Sequence, residues 1–322
     1  MSKILKCLPG ISMPVTEINK KLSEIWKTDI GEMEEESHAS QMNVILHFGV
    51  KTTEEEALEY FEASIKFSQV YPARLIVLCP SEENKSEMKL DAKFFFQCYV
   101  GRSHRKRCCC EALMLGYDPD ESQFLKNQVA VWLQSDLPTF HLFYKLPVKI
   151  IEKKYLNFAR NAKKIVYDSS SDIHLNEVHW GSDHKAIDLA HARLLSIRQS
   201  IGQFLSGYSP EHIAEDINGI SIDYSPDLLG EALVLSKWIH SCMEECAQDQ
   251  TFITKNHPKQ DLSFISINFD YNKDSNKHFK WHFDKKKGFA RIDANIGKGP
   301  IQYQHKTSLL DLNKALSEAL FF

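Results

Sequence analysis

Apolar and polar positions along the chain follow two different periods. In "PVTEINKKLSEIW" the apolar residues Val15, Ile18, Leu22 and Ile25 recur at steps of three and four, which predicts a helix. "QMNVILHFGV" reads as a strand. Thr53 and Glu56 make a capping-box pattern, and Leu58, Phe61 and Ile65 mark the inner face of a helix running to about Gln69. "ARLIVLCP" is a short, wholly apolar run of the kind buried on both faces of a sheet. Strand, helix, strand in this order predicts a parallel pair with a right-handed crossover. "AKFFFQCYV" and "RKRCCCEALML" flank Gly101–His104 and predict a hairpin. Asp118, Pro119 and Glu121 open the next helix, "PTFHLFYKL" is a strand, "IIEKKYLNFARNA" a helix and "KKIVYDSS" a strand.

The pattern then changes. "SDHKAIDLAHARLLSIRQSIGQFLSG" predicts one long amphipathic helix with Ile187, Leu194, Ile201 and Leu205 inward. "ISIDYS" is a short strand, and Pro226 opens a largely apolar helix. "LSFISINFDY", a hairpin turning at Lys285–Gly288 and "IQYQHKT" supply further strands, and Ser308 and Asp311 precede a last helix. The expected architecture is an α/β N-terminal domain with a mixed sheet over residues 1–172. An α+β C-terminal domain with an antiparallel sheet follows over 173–322.

Composition changes this picture little. A chain of 322 residues with 43% hydrophobic and 25% charged content can bury a core without metals or disulfides. The formal charge of −4 creates no general attraction for nucleic acid or anionic lipid. No apolar run approaches the roughly 20 residues that span a bilayer. The short N-terminal apolar stretch does not read as a signal peptide, so a cytoplasmic location, away from membranes, is expected. The cysteines at 7, 79, 98, 108, 109, 110, 242 and 246 are then expected as thiols.

The chemistry-bearing clusters have bland readings beside sharp ones. On a strand, Cys109 and Glu111 share one face and Cys108 and Cys110 the other, so three adjacent cysteines cannot converge on one metal. They read as small buried residues, with a thiol-based redox sensor as the sharper alternative. Cys242 and Cys246 share a helix face and read as packing. His174, His179 and His184 recur at a spacing that fits neither helix nor strand, and read as a loop. The segment 271–298 interleaves Lys and Arg with Phe279, Trp281, Phe283 and Phe289. It reads either as a sheet with its rings inward or as a single-stranded nucleic-acid-binding module. No dinucleotide fingerprint, phosphate loop, nucleophile elbow or zinc helix is present in the sequence. No catalytic residue, metal ligand or cofactor is therefore assigned.

Five stretches in order resemble the OpcA family, the glucose-6-phosphate dehydrogenase assembly or effector proteins of bacteria. "YPARLIVLCP" resembles the family's His-Pro-Ser-Arg stretch through Pro72 and Arg74, and "RCCCEALML" its Cys-Cys-Glu strand through Cys109, Cys110 and Glu111. "SDLPTFHLFYKLP" resembles its Asp-Leu-Pro motif, and "KKIVYDSSSD" its strand ending in Asp-Ser. "IDLAHARLLSIRQSIGQFL" resembles its Asp-Leu-Ala helix through Asp188, Leu189, Ala190, Arg193, Leu194 and Arg198. Tyr71, Ala73, Leu142, Phe143, His191 and Ile197 depart from the family's usual residues. The resemblance implies a non-enzymatic protein that binds glucose-6-phosphate dehydrogenase and promotes its assembly or active state, feeding the oxidative pentose phosphate pathway. It implies Arg74, Asp136, Asp168, Asp188, Arg193 and Arg198 as partner-binding residues. Arg193 is also placed to bridge to Asp168. No nucleic acid or membrane partner is implied.

Overall fold

The computed structural model describes residues 2–30, 40–81, 91–100, 107–180, 185–246, 253–259, 263–272 and 276–322. It divides into two compact units, Met1–Leu189 with Leu312–Phe322, and Ala190–Asp311. The boundary expected at residue 172 thus lies further along the chain, and the last helix belongs to the first unit. Among the described residues no helix is long and apolar enough to cross a membrane.

The first unit begins with α1 (Lys3–Cys7), β1 (Ile11–Pro14) and α2 (Ile18–Ile30), followed by β2 (Met42–Phe48), α3 (Glu54–Ser68) and β3 (Ala73–Pro80). Next come the hairpin strands β4 (Asp91–Val100) and β5 (Arg107–Tyr117), then α4 (Leu125–Trp132) and β6 (Thr139–Tyr144). Further on lie the single turn α5 (Val148–Ile150), β7 (Lys164–Tyr167) and β8 (Lys185–Asp188), and the chain passes into the second unit within α6 (Leu189–Arg193). Among the described residues the sheet order is β1-β4-β5-β3-β2-β6-β7-β8. From β5 to β8 every neighbouring pair is parallel, and β4 closes the hairpin antiparallel to β5. Both β2 and β3 are buried throughout, as their continuous apolar runs require.

One sheet face packs Ile45, Ile76, Leu113, Phe143 and Ile165 against Leu125, Val129, Trp132 and Tyr155. Phe61 and Phe67 of α3 are buried as well. The last helix, α10 (Leu312–Phe321), brings Phe321 to 4.6 Å from Tyr71, so the tyrosine that departs from the family pattern is a packing residue. Leu142 and Phe143, also departures, are fully core.

Three local expectations change here. The "IIEKKYLNFARNA" helix is only short irregular turns after Pro147, where Val148, Ile150 and Ile151 are stiff β-branched residues. Lys185–Asp188 is a strand and not the start of a long helix, because it pairs in parallel with Lys164–Tyr167. Cys98 and Cys109 are disulfide-bonded, not thiols, because the hairpin register sets them directly opposite one another. The link Gly101–His104 lies outside the described residues.

In the second unit, α7 (Leu195–Leu205) and α8 (Pro210–Ala214) precede β9 (Ile217–Tyr224) and α9 (Leu229–Cys246). The strands β10 (Ile253–Pro258), β11 (Phe264–Tyr271), β12 (His278–Asp284), β13 (Phe289–Asn295) and β14 (Ile301–Lys306) follow. They form a sheet in the order β10-β9-β11-β12-β13-β14, antiparallel except where the unexpected β10 runs parallel to β9. The β12–β13 hairpin turns at Gly288, whose φ of 68° suits glycine. Phe279, Trp281 and Phe283 lie in the core with Ile197, Ile201, Leu235 and Ile239, while Lys280 and Arg291 are exposed. The aromatic and basic interleaving is therefore the in-and-out alternation of strands, and those three rings are closed to a stacking base. Cys246 packs at the edge of this core, but Cys242 is exposed on α9, contrary to the packing expected of it. Ile173–Glu177 is a single short turn, and His179 lies in irregular chain beyond it. His184 lies outside the described residues.

Candidate functional site

The residues singled out from the sequence fall into three groups. Arg74, Glu111 and the segment 132–138 meet at the amino ends of the parallel strands. Register places Arg74 of β3 beside Glu111 of β5, and their buried side chains form an ion pair. The Arg74 guanidinium also donates to the Trp132 carbonyl at 3.0 Å, holding the end of α4. Asn43 of β2 continues the cluster. Its amide donates to the Gln134 carbonyl at 2.9 Å and accepts the Gln134 amide at 3.1 Å. Its backbone N–H bonds Pro138. These contacts fix the turn that carries Asp136, whose own side chain is exposed. Arg74 is thus a buried support of this turn, and Asp136 is the residue the turn presents.

Asp168 and Asp188 meet at the opposite, carboxyl ends of β7 and β8. Asp168 is 1% exposed and accepts the Tyr60 hydroxyl, the Ser170 hydroxyl at 2.7 Å and the Ser170 amide at 3.1 Å. This is an Asx turn, in which a short carboxylate satisfies backbone two residues on. Asp188 accepts the Ser169 amide at 3.1 Å and the Ser169 hydroxyl. The serines of "DSSS" therefore link the two carboxylates.

Arg193 lies in the second unit, where it pairs with the buried Glu231 at 3.0 Å. Arg198 donates to the His191 carbonyl at 3.4 Å. Burial, and then the Arg198 charge, hold the His191 imidazole below its usual range.

In open α/β sheets a ligand crevice lies at the carboxyl ends of strands whose connections leave in opposite directions. Here that point falls between β2 and β6. Gly49 closes it: its N–H bonds the Tyr144 carbonyl at 2.8 Å, and a Cβ at this position would lie 1.9 Å from the Lys145 carbonyl oxygen. The following helix is capped by its own Thr53 and Glu56 and carries Glu54, Glu55 and Glu56 in its first turn. That charge repels phosphate where a dinucleotide site needs to attract it. Burial opposes ionisation of Glu56, but hydrogen bonds from Lys145 and from the Thr53 amide keep its carboxyl below the usual range. Burial, then the carboxylates of Glu56 and Asp168, push the Tyr144 phenol far up.

Beneath this edge His47 Nδ1 lies 3.2 Å from His141 Nε2, and His47 Nε2 lies 2.7 Å from the Tyr117 hydroxyl. Tyr117 in turn reaches the Tyr155 hydroxyl at 3.0 Å. All four are buried. Desolvation keeps both imidazoles neutral, with the pKa of His141 lowered to about 3. Nothing in the sequence period distinguishes these histidines from their apolar neighbours. Only a polar residue inside a continuous apolar strand hints that a partner must be supplied.

No family model matches the chain, and no curated protein matches it. Among solved structures, KijD10, a 3-ketoreductase from Actinomadura kijaniata in complex with TDP-benzene and NADP, is similar at 8% identity with a TM-score of 0.41. The similarity covers 86% of this chain and 88% of that one. A likeness at this level assigns neither activity nor cofactor.

Proposed function

We propose that the chain is a non-enzymatic protein effector that binds glucose-6-phosphate dehydrogenase and favours its assembled or active state. The observation that carries the reading is the convergence of three separate stretches of the family resemblance. Arg74, Glu111 and the Asp136 turn are far apart in sequence and meet at one edge of the sheet, with Asp136 outward. A buried pair that holds an exposed acidic turn is what a docking surface requires. At the opposite edge the carboxylates are engaged by their own serines and the crevice is closed by backbone, which favours a surface role over chemistry. An effector of this kind works by binding one form of its partner more tightly than another. A coupling of about 1–3 kcal/mol would change the dehydrogenase's substrate affinity by roughly 5–150-fold. A cytoplasmic location and a place in carbohydrate metabolism go with this reading.

The test is co-purification with the dehydrogenase of the same organism and titration of its substrate affinity with and without this protein. Complex formation that Asp136→Lys abolishes, with the fold unchanged, is the expected result. Absence of both a complex and a kinetic change rejects the proposal.

The Cys98–Cys109 disulfide favours a second reading, a thiol-based redox sensor. Thiol counting before and after mild reduction decides it: two additional thiols that change dehydrogenase activation support it, and two that change nothing remove it.

A further inference from the structure

The second unit holds a groove of about 490 Å³ between one face of α7 and the edge strand β14. Ser196, Gln199, Ser200 and Gln203 recur at helical spacing and form one wall. Tyr303, His305 and the turn Lys306–Ser308 form the other. The volume is that of a small-molecule site, but the lining is not the usual apolar one. It consists of hydroxyls, carboxamides, an imidazole and one ammonium, with no carboxylate among them. The Tyr303 ring is 40% exposed.

The back of the groove is organised. Trp281, fully buried, donates its indole N–H to Ser200 Oγ at 3.1 Å. His305 Nε2 lies 2.7 Å from the same hydroxyl, which joins the indole and the imidazole. The other ring nitrogen of His305, Nδ1, is buried. Among the described residues this buried Nδ1 has no hydrogen-bond partner, and neither has Thr307 Oγ1. Thr307 is 7% exposed. Buried polar atoms without partners are uncommon because each one forfeits its hydration. Two of these atoms lie beside the one groove.

We propose that this groove binds a small polyol carrying one anionic group, a sugar phosphate or a sugar acid. Carboxamides that both donate and accept suit vicinal hydroxyls. The exposed tyrosine face suits the apolar side of a sugar ring. Lys306 supplies the charge for the anionic group, and no carboxylate is among the lining residues. Ser200 is a positioning residue, since it acts by orienting His305. This inference concerns the chain by itself and does not depend on the proposed partner.

The experiment is calorimetric titration of the full chain, without any partner, with glucose, glucose 6-phosphate, gluconate and inorganic phosphate. Saturable binding of glucose 6-phosphate or gluconate, tighter than that of glucose or phosphate, is expected. The two charged probes distinguish phosphate ester from carboxylate. Thr307→Val removes a hydroxyl with no partner in the chain, so it should fold normally and weaken binding by about 5–10-fold, the worth of one hydrogen bond. Lys306→Gln should narrow the gap between the charged probes and glucose. In nitrogen NMR Ser200→Ala should change the tautomer signature of His305, whose Nε2 it deprives of a partner. No binding by any of the four probes, binding by phosphate alone, or binding unchanged by both Thr307→Val and Gln199→Ala would overturn the proposal.

Discussion

The two units differ in where their buried polar side chains sit, inside a strand-end network in the first and beside a groove in the second. In the first, buried polar groups bond one another in pairs and chains: Arg74 with Glu111, Asn43 with Gln134, Asp168 with Tyr60 and Ser170, His47 with His141 and Tyr117, while Glu111 Oε2, Gln134 Oε1 and His141 Nδ1 have no further partner among the described residues. In the second, His305 and Thr307 line an open groove and keep buried polar atoms without partners. A buried network whose members bond one another holds geometry, as Arg74, Glu111 and Asn43 do for the turn of Asp136. An unsatisfied one costs stability, so it is informative about binding. Substitutions that treat the two regions alike should therefore give unlike results.

The largest effect belongs to the first unit. Arg74→Met strands the Glu111 carboxylate in the core and removes the donor to Trp132. It should lower unfolding free energy by about 3–5 kcal/mol, read from urea midpoints. Arg74→Met with Glu111→Leu should restore most of that loss, because a well-packed apolar pair can replace a buried ion pair. A single-variant loss below about 1 kcal/mol would show that this network does not hold the edge and would remove the contrast between the units.

Acid comes next. His47 and His141 have pKa values depressed below their ordinary 6.5 by burial, that of His141 to about 3. Their contribution is fully present above pH 6.5, where folded and unfolded forms are both neutral. Below it the unfolded chain takes up protons that the folded chain refuses. Stability should then fall by about 1.4 kcal/mol per pH unit for each histidine, until the folded pKa is reached. His141→Gln should flatten the slope measured between about pH 6 and 4 by one proton. A slope indifferent to that change would mean that the ring is hydrated.

Ser200→Ala sharpens the comparison from the other side. It leaves the Trp281 indole N–H buried without an acceptor and frees the His305 ring. A loss of about 1–3 kcal/mol in thermal or urea unfolding is expected.

How far these regions were legible in the sequence differs for physical reasons. "ARLIVLCP" could be read as a buried strand because apolar burial on both faces leaves a continuous run. Lys185–Asp188 could not, since four residues of strand run straight into the helical period of α6 and α7 and only pairing with β7 fixes them. The Cys98–Cys109 bond depends on hairpin register, which composition does not encode. Asp168 could be anticipated as a carboxylate satisfying amides after a strand, but the junction of Asp168 with Asp188 through Ser169 is a tertiary fact. The groove was invisible for a simpler reason. Ser196, Gln199, Ser200 and Gln203 read as the solvated face of an amphipathic helix, and their partners His305 and Thr307 come from the far end of the chain.

The smallest expected effect discriminates best. Thr307 is as buried as many core residues, and an ordinary buried threonine whose hydroxyl is bonded loses stability on conversion to valine. Here Oγ1 has no partner among the described residues, while the backbone N–H of Thr307 still bonds the Gly288 carbonyl at 3.2 Å. Valine keeps the shape and that backbone bond, and it removes only the desolvated hydroxyl. Thermal unfolding of Thr307→Val should accordingly stay within about 0.5 kcal/mol of the parent or shift upward. A clear loss would show that the hydroxyl is already bonded in the free chain, by ordered water or by relaxation. The groove wall would then be bonded within the chain like the turn of Asp136, and the difference between the two regions would disappear.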